Sequence, residues 1–548
     1  MAARRTAGLV WAVALVCGAP TATAVPGHAM SASATHLRQL RLHAPGVVAN
    51  DRYGVAVAAS GRTLVVGAPG QGSGAVFVFT RPLHGWRAGV HPVKLTPPPT
   101  SATGARFGQS VAIKGATIVV GAPGQNVGSN TSQGATYVFT ESHGGWHATS
   151  HPAATLTAKG GAAFDDLGGA VALSGSTIVA AASGRTIKGN ELEGAAYVFT
   201  ESRTGWKSGT QAATLTDSSG GVDDGFGCSV AVSGDVVVIG AFAHPGAGVA
   251  DVFVEPKHGW RSMTQTRILQ GDDTAPVDQF GFSVSAEGRT VVVGAPAHEI
   301  RGNENEGVAD VFTEPRRGWG PKSSKVVHQV AELASDDGTS EDGLGSSVSL
   351  SGPTIVLGAI GHMIGANSRQ GAAYGYKEPA NGWRDATESF EVSAKDGEAN
   401  DSFGSATAVE PGVVVVGAPD TPSDTGAAYV FAQPGPVLSK VRQSQRSWAL
   451  GARKPESNPR HKPAGGTEFS FSVSESTTVS LSFSERKHGH YRQVHTIRLH
   501  VTRGRTKEYI DGKLGAGAAL EPGRDEVTIS ATNSSGTTKS VTLKFTTH

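Results

Sequence analysis

The chain has 548 residues, with 47 Lys and Arg against 46 Asp and Glu, so its formal net charge is +1. For a chain with this overall balance we expect no nucleic-acid partner. The 74 glycines are roughly double the usual fraction and predict many tight turns and close backbone contacts. Beyond residue 24 no apolar stretch is long enough to cross a bilayer, so we expect no transmembrane segment.

Residues 1–24 are predicted to form a secretory signal peptide. Arg4 and Arg5 precede an apolar stretch, and Ala22-Thr23-Ala24 provides small residues for cleavage. The sequence therefore predicts a secreted, extracellular protein that is free or associated with the cell surface. Cleavage would leave Cys228 as the only cysteine, which excludes a disulfide within the chain. Its place in the repeat favours a tolerated variant over a reactive thiol.

Seven times an aromatic residue or leucine followed by glycine precedes a Gly-Ala-Pro-like triplet. The triplet always begins 13 residues after the glycine of the pair, whereas the repeats start 54 to 64 residues apart. A spacing that stays fixed while the loops vary indicates a packed unit, so the fold follows from the repeat. The pairs end at Gly54, Gly108, Gly168, Gly227, Gly281, Gly345 and Gly404, and the triplets begin at Gly67, Gly121, Ala181, Gly240, Gly294, Gly358 and Gly417.

Each repeat contains short runs rich in β-branched and aromatic residues, bounded by turn-forming residues. In the second repeat these runs lie at 110–113, 117–120, 134–139 and 154–157, and each is typical of a strand. Four strands per repeat are what one blade of a β-propeller requires. The seventh repeat lacks a fourth run, so we predict that Gln39–Leu42 completes it and closes a seven-bladed propeller over residues 38–435.

The pattern Phe-Gly-x-Ser-Val, Val-Val-Gly-Ala-Pro and Gly-Ala-x-Tyr-Val-Phe, best seen between Phe107 and Phe139, resembles the FG-GAP repeats of integrin α subunits. It is most similar to the bacterial secreted branch of that family. The resemblance covers about residues 38–432. It implies a seven-bladed propeller used for extracellular recognition, and it does not imply an enzyme. Integrin-type blades often carry an Asp-x-Asp-x-Asp-Gly calcium loop between pair and triplet, and this chain has no such loop there.

Acidic residues precede six of the seven pairs by two positions, and the second repeat has Ala105 instead. One interpretation makes them calcium ligands. The other, which we favour, makes each Asp accept backbone N–H groups in its own turn. We therefore expect no cofactor, with calcium as the alternative. The six residues are Asp51, Asp165, Asp224, Asp278, Asp342 and Asp401.

Four loops after the triplets share the pattern Asn-x-x-Gln/Glu-Gly. Asn and Gly tolerate left-handed backbone conformations, which favours a repeated hairpin loop. The alternative is a ligand-binding rim on one face of the propeller, acidic in blades three and five. The rim residues would be Asn130, Asn190, Glu191, Glu193, Asn303, Glu304, Glu306 and Asn367.

Repetition also explains the residues that might suggest chemistry. A serine recurs in Phe-Gly-x-Ser-Val without a neighbouring histidine, and the histidines lack metal-site spacing. We therefore expect no catalytic residues. A tryptophan follows glycine at the same place in six repeats, which favours packing over sugar stacking. These are Trp86, Trp146, Trp206, Trp260, Trp319 and Trp383.

Residues 436–548 differ from the repeats in charge and pattern. Residues 437–548 hold 18 Lys and Arg against 9 Asp and Glu, whereas residues 1–436 hold 29 against 37. Alternating runs such as 469–473, 479–483 and 527–533 predict a small β-sandwich. The run from Leu520 to Asn533 resembles the last hairpin of immunoglobulin-like modules in secreted actinobacterial proteins.

Three hypotheses for function follow. The first is an extracellular binding or adhesion protein that recognises a protein or glycan, with the basic C-terminal region contacting an anionic cell-wall polymer. For that charge, solubility or docking onto the acidic propeller is an alternative. The second is a structural module of a surface assembly without a small ligand. The third is an extracellular hydrolase acting at the propeller channel.

Overall fold

The computed structural model describes residues 37–548 except 83–84, 317, 321–324, 422–424, 434–436, 451–465, 475, 488, 511–512, 516–517 and 534–535. The predicted signal peptide and the predicted domain boundary at 435 lie outside the described residues. Every regular element in the described part is a strand, which confirms the all-β prediction. No helix in this part is long and apolar enough to span a membrane.

The first strand, β1 (Arg38–Arg41), precedes the blades, which follow one another along the chain. Blade one contains β2 (Val57–Ser60), β3 (Thr63–Ala68), β4 (Ala75–Thr80) and β5 (Val93–Leu95). Blade two contains β6 (Ser110–Lys114), β7 (Thr117–Ala122), β8 (Ala135–Thr140) and β9 (Ala154–Thr157). Blade three contains β10 (Val171–Ser174), β11 (Thr177–Ala182), β12 (Ala195–Thr200) and, after the short β13 (Gly209–Thr210), β14 (Ala213–Thr216).

The remaining blades repeat this order. Blade four contains β15 (Ser229–Ser233), β16 (Val236–Ala241), β17 (Val249–Val254) and, after the short β18 (Met263–Thr264), β19 (Arg267–Gln270). Blade five contains β20 (Ser283–Glu287), β21 (Thr290–Ala295), β22 (Val308–Thr313) and, after the short β23 (Val326–His328), β24 (Ala331–Leu333). Blade six contains β25 (Leu344–Ser351), β26 (Thr354–Ala359), β27 (Ala372–Lys377) and β28 (Phe390–Val392). Blade seven contains β29 (Ala406–Glu410), β30 (Val413–Ala418) and β31 (Ala427–Ala432).

The second strand of each blade is apolar at consecutive positions because neighbouring blades cover both of its faces. All six residues of β16 are buried. One face contributes Val237 to a cluster with Val179 of blade three, and the other contributes Val238 to a cluster with Val293 of blade five. The propeller core is therefore a series of apolar layers between adjacent blades.

Glycines of the repeat bring neighbouring backbones into contact. The glycine of each pair has φ between +91° and +100°, a region that favours glycine. Its N–H donates to the triplet of its own blade, as from Gly108 to the oxygen of Gly121 at 3.0 Å. A β-carbon on Gly67 would overlap the oxygen of Gly108 in the next blade. The first residue of the triplet is therefore glycine in six blades, whereas blade three has Ala181 at this position.

The N-terminal strand completes blade seven. β1 pairs antiparallel with β31, from Arg38 opposite Ala432 to Arg41 opposite Tyr429, which confirms the predicted pairing with a shift of one residue in the strand bounds. Apolar residues of blades one and seven share one buried cluster. Gly417 of blade seven also lies against the oxygen of Gly54 in blade one. The first and last blades therefore meet as the other neighbouring blades do.

Blades two, three and four have a fifth strand that the repeat pattern did not predict. β13, β18 and β23 run parallel to the outer strands β9, β14 and β19 of the preceding blades. Each short strand lies in the connection that leads to the fourth strand of one blade, and it pairs with the outer strand of the preceding blade. It therefore covers the outer edge of that preceding blade. Covered edges limit strand pairing with other molecules.

The described C-terminal residues form strands that share one hydrophobic cluster across two sheets. The cluster includes Phe469 and Phe471 from one sheet and Leu481, Phe483 and Ile529 from the other, the packing of a small β-sandwich. Similarity to an immunoglobulin-like module stays a prediction. The strands are β32 (Leu438–Gln443), β33 (Ser447–Trp448), β34 (Thr467–Val473), β35 (Thr477–Lys487), β36 (His490–Val501), β37 (Gly504–Ile510), β38 (Lys513–Gly515), β39 (Ala518–Ala519), β40 (Gly523–Asn533), β41 (Gly536–Thr537) and β42 (Val541–Thr547).

Replacing Gly417 with alanine tests the contact between blades seven and one. We expect Gly417→Ala to lower the apparent free energy of unfolding by about 2–3 kcal/mol, because the added methyl group would overlap the backbone of blade one. The control Ala181→Gly should cost at most about 1 kcal/mol. Urea denaturation of each purified variant measures both effects, and an unchanged or higher midpoint for Gly417→Ala would contradict a closed ring.

Candidate functional site

Two sets of loops meet on one face of the propeller, which we call the loop face. The hairpin loops are residues 127–133, 187–193, 300–306 and 364–370, and the capped turns are residues 48–51, 162–165, 221–224, 275–278, 339–342 and 398–401. Backbone hydrogen bonds join each hairpin loop to the capped turn of the next blade. The N–H of Phe164 donates to Thr131 at 2.9 Å, and that of Asp223 donates to Glu191 at 3.0 Å.

The predicted rim asparagines hold these loops together. Asn130 Nδ2 donates to Gln133 Oε1 at 2.8 Å and to the oxygen of Gly161 in the connection to the next blade at 2.9 Å. The same pair of bonds recurs at the other three asparagines. Their side-chain amides are thus engaged in loop structure, and ligand binding by them stays a prediction. The other three are Asn190, Asn303 and Asn367.

The predicted acidic rim needs a correction at two positions. Glu193 and Glu306 are only 3% and 4% exposed, because each accepts a hydrogen bond from the asparagine of its loop and packs against a glycine before the next blade. Glu191 and Glu304 are exposed. Of the four predicted rim glutamates, only Glu191 and Glu304 are therefore accessible to a ligand at this surface.

The six recurrent aspartates cap the turns that precede their pairs. In each turn, Oδ2 accepts the N–H of the residue three positions earlier at 2.6 to 2.9 Å. All six residues are buried. These hydrogen bonds are those expected if each Asp caps its own turn. Calcium binding by these aspartates stays a prediction. The residues are Asp51, Asp165, Asp224, Asp278, Asp342 and Asp401.

A polar side chain 20 residues later contacts the same oxygen in several blades. Gln71 donates to Asp51 at 3.0 Å and Arg185 to Asp165 at 2.7 Å. In blades five and six this partner is the Nδ1 atom of a histidine, 2.8 Å from Oδ2. The sequence interpretation missed these Asp–His pairs, although the constant separation of 20 residues was visible in it. The two histidines are His298 and His362.

The residue before each capping aspartate adopts a left-handed conformation, with φ between +63° and +80°. Asparagine or another polar residue occupies this position in four turns, but Phe164 and Val277 occupy it in two. These side chains are 62% and 79% exposed. A bulky residue at positive φ is strained, and neither side chain gains burial from that strain within the chain.

Exposed apolar side chains concentrate on the loop face. It carries five of the eleven large apolar residues that are exposed in the described part of the chain. Sequence reasoning missed these residues because they depart from the repeat in single blades rather than in all of them. The five residues are Val48, Phe164, Leu192, Val222 and Val277.

The other repeated residues serve contacts within and between blades. Ser110 Oγ donates to the oxygen of Gly168 in the next blade at 2.8 Å, and three equivalent serines do the same. Five of the six tryptophans are buried and Trp86 is partly buried, in line with packing. Burial raises the pKa of the Cys228 thiol to about 11, so the thiolate that reacts is scarce at neutral pH.

Three clusters of carboxylates and histidines could hold a metal ion. Each contains one donor atom per residue, and the donor atoms of a cluster lie within 4.8 Å of one another. In the third cluster, burial and the neighbouring Asp336 raise the pKa of Glu388 to about 7. The clusters are Asp217, Asp224 and His244; Asp273, His298 and Glu332; and Asp336, Asp337 and Glu388.

The buried pair His362–Asp342 predicts a pH dependence of stability. Burial lowers the pKa of His362, but the hydrogen bond to Asp342 and its charge outweigh burial and raise it. A raised folded-state pKa stabilises the chain below the unfolded value of about 6.5, and this stabilisation is lost as pH rises through the folded-state value.

We expect the melting temperature of the parent to fall more steeply between about pH 6 and pH 8 than that of His362→Gln. Glutamine is a matched replacement because Gln71 makes the equivalent contact in blade one. Thermal melts at several pH values measure the difference, and parallel profiles for the two proteins would argue against a charged pair.

Comparisons with known proteins agree with this architecture. The FG-GAP repeat model matches residues 37–79, 92–139, 152–199, 210–253, 263–312, 327–376 and 387–431. No match was found among curated protein sequences.

Solved structures similar to the chain include the WD40 domain of Toxoplasma gondii coronin, at 9% identity and TM-score 0.40, covering 74% of this chain and 88% of that one. The extracellular domain of the one-component system BT4673 of B. thetaiotaomicron matches at 9% identity and TM-score 0.37, covering 91% and 56%. Drosophila Plexin A in complex with Semaphorin 1b matches at 9% identity and TM-score 0.30, covering 80% and 84%. Scores in this range carry no functional information.

Each matched segment contains the outer strand of one blade and the first three strands of the next, so the seven segments together run through all seven blades. They span more than half of the sequence. The chain therefore belongs to the FG-GAP repeat family.

Proposed function

We propose that the chain is an extracellular recognition protein that binds a protein partner through the loop face of its propeller. The observation that carries this proposal is the group of exposed apolar side chains on that face. Exposed apolar side chains gathered on one face of a protein are typical of interaction surfaces. The predicted signal peptide supports an extracellular setting for the partner.

The composition of the loop face suits a protein rather than a small molecule. Phe164, Leu192 and Val222 lie on turns that the hydrogen bonds of the hairpin loops hold in place. Exposed Glu191 and Glu304 add negative charge to the same face. Protein interfaces combine apolar contact area with polar and charged residues, and a rigid ring limits the entropy lost on binding.

Backbone strain points to the same residues. Phe164 and Val277 keep a conformation that costs bulky residues of the order of 1–2 kcal/mol each, and asparagine takes the equivalent positions in the turns at Asn50 and Asn400. Strain that the fold does not require is a feature of functional surfaces. We infer that these two side chains are retained for contact with the partner.

The hydrolase hypothesis gains no support from the repeated residues. The serines that might act as nucleophiles donate to carbonyl oxygens of the next blade, and the tryptophans pack between strands. A structural module without a ligand stays an alternative, and the same experiment distinguishes it from recognition.

The double variant Phe164→Asn/Val277→Asn tests recognition. We expect it to be more stable than the parent by about 1 kcal/mol or more, because asparagine tolerates the left-handed conformation. We also expect at least a tenfold loss in affinity for any protein that the parent captures on an array of purified extracellular proteins and glycans. Urea denaturation and biosensor titration measure the two effects.

Val330→Asn is the matched control, since it removes an exposed valine just before β24, outside the loop face. It should leave binding unchanged. A parent that captures only glycans would contradict a protein partner, and a blank array would favour a structural module. Equal loss of affinity in the control and the double variant would argue against the loop face.

A second candidate function is contact with an anionic polymer through the C-terminal region. β36 is an edge strand of its sheet and exposes Arg492, Arg498 and His500. Together with the excess of basic residues after residue 436, this strand offers a positive surface to polyanions.

Charge reversal tests this second function. Arg492→Glu/Arg498→Glu should weaken binding to polyphosphate about tenfold at low salt, and the parent's affinity should fall as salt rises. Arg62→Glu, at a turn of blade one, is the control. Binding by the parent that does not depend on salt, or equal affinity of the parent and the double variant, would contradict the proposed contact with an anionic polymer. Fluorescence anisotropy with labelled polyphosphate provides the measurement.

A further inference from the structure

One position in the third strand of each blade separates blades four and five from the rest. Five blades carry an aromatic residue there, whereas the other two carry Asp251 in β17 and Asp310 in β22. These aspartates are 0% and 1% exposed. An aspartate is much smaller than tyrosine, so the exchange removes an aromatic ring and adds a buried carboxylate. The five aromatic residues are Phe77, Tyr137, Tyr197, Tyr374 and Tyr429.

Both buried aspartates lack hydrogen-bond partners that a carboxylate needs. In the described part of the chain neither oxygen of Asp251 has a partner, and Oδ1 of Asp310 has none. A buried carboxylate without hydrogen-bond partners is unfavourable, so a cation bound beside these two positions would stabilise them.

In blade five the buried carboxylate lies beside a histidine and two more carboxylates. Asp310 is directly opposite Glu332 in the pairing of β22 with β24. His298 holds Nδ1 2.8 Å from Asp278 Oδ2, while its Nε2 lies 3.9 Å from Asp273 Oδ2. A histidine whose Nδ1–H donates to a carboxylate presents the lone pair of Nε2, which is how metal-binding histidines are oriented.

Blade four also places a histidine among carboxylates, but its Nδ1 has no hydrogen-bond partner in the described part of the chain. His244 Nε2 lies 3.3 Å from Asp217 Oδ2. Asp217 Oδ1 is occupied by the N–H of Ser219 at 2.9 Å. Asp224, only 1% exposed, uses Oδ2 for its turn and leaves Oδ1 without a partner in the described part of the chain. A carboxylate oxygen of each aspartate is thus available to a shared cation.

A protonated histidine would not by itself neutralise the negative charge of the carboxylates in these clusters. Each blade has at least three carboxylates around one imidazole. In blade four the nearby Lys325 directs its Nζ to Ser218, to which it donates at 3.0 Å. In blade five the neighbouring His328 is paired with Asp272 at 2.7 Å. A divalent cation would supply the missing charge in both places.

Blade six shows the same Asp–His pair without the extra carboxylate in the third strand. His362 lies 2.8 Å from Asp342, and the ring of Tyr374 packs edge-on against the imidazole. The tyrosine hydroxyl donates to Asp337 at 3.1 Å. The Asp–His pair is therefore satisfied within the protein when an aromatic ring fills the adjacent space.

We propose that blades four and five each bind a divalent transition-metal ion such as Zn²⁺, through His244, Asp217 and Asp224 in blade four and through His298, Asp273 and Glu332 in blade five. Asp251 and Asp310 add the buried negative charge that favours the cation. One imidazole nitrogen with carboxylate oxygens is a ligand set for zinc, whereas calcium prefers six to eight oxygens. The proposal is independent of the proposed function.

Zinc stoichiometry tests the two sites. The full mature chain is freed of metal with a chelator, incubated with ZnCl₂, dialysed and measured by mass spectrometry of the metal. We expect two tightly held zinc ions, one in His244→Ala, one in His298→Ala and two in the matched control His362→Ala. Bound zinc should also raise the melting temperature of the parent, because only the folded state gathers the ligands.

A second variant guards against loss of folding. Asp251→Tyr/Asp310→Tyr introduces the aromatic residue of the other blades and should fold, as circular dichroism and melting would show, while retaining no zinc at the two sites. Retention of zinc by this variant, equal losses in all three histidine variants, or a parent that retains none would overturn the proposal. Competition by equimolar Ca²⁺ that displaces the zinc would overturn the choice of a transition metal.

Discussion

The contact between backbones of adjacent blades is the constraint on which the propeller depends. The glycine of each pair has its N–H bonded to the triplet of its own blade, while its carbonyl oxygen faces the triplet of the preceding blade. The bond within the blade joins each pair to its own triplet across a single β-hairpin, so the length of this hairpin is fixed at the constant 13 residues. Loops outside this hairpin are free to vary in length, and they do.

A ring built on such contacts can support strained turns. An aspartate caps each of these turns, and in blades three, four, six and seven the hairpin loop of the preceding blade also bonds to the turn. Because these bonds fix the backbone, the residue at the tip stays left-handed even when it is Phe164 or Val277. The scaffold thus presents apolar side chains to solvent at positions where an isolated turn would favour asparagine or glycine.

Repeated features of the molecule could be predicted from sequence, whereas features of single blades could not. The repeats themselves indicated seven blades, the four-strand order and the closing strand. The burial of Glu193 could not be predicted, because its partners are an asparagine of its own loop and a glycine before the next blade. β13 and its equivalents were missed because their two or three residues carry no pattern of their own. Asp251 and Asp310 were visible in the sequence as departures from the repeat, but only the structure shows their burial.

The long strands of the C-terminal region could be predicted from the alternation of apolar and polar residues. An example is β35, where every second residue is buried until the chain reaches Arg486. Such alternation predicts strands with one face in a core. It does not predict which strands share a sheet, because strand order depends on connections between them rather than on the pattern within each strand.

The central claim is that the N-terminal strand locks blade one to blade seven. Hydrogen exchange followed by mass spectrometry tests it most directly, because the N–H of Leu42 donates to Ala428 in β31 and alternate N–H groups of β1 also face β31. A locked ring predicts that the amide of Leu42 and the amides of β1 that face β31 exchange as slowly as those of β30 in the same blade. Exchange of these amides as fast as that of the exposed turn at 61–62 would contradict it.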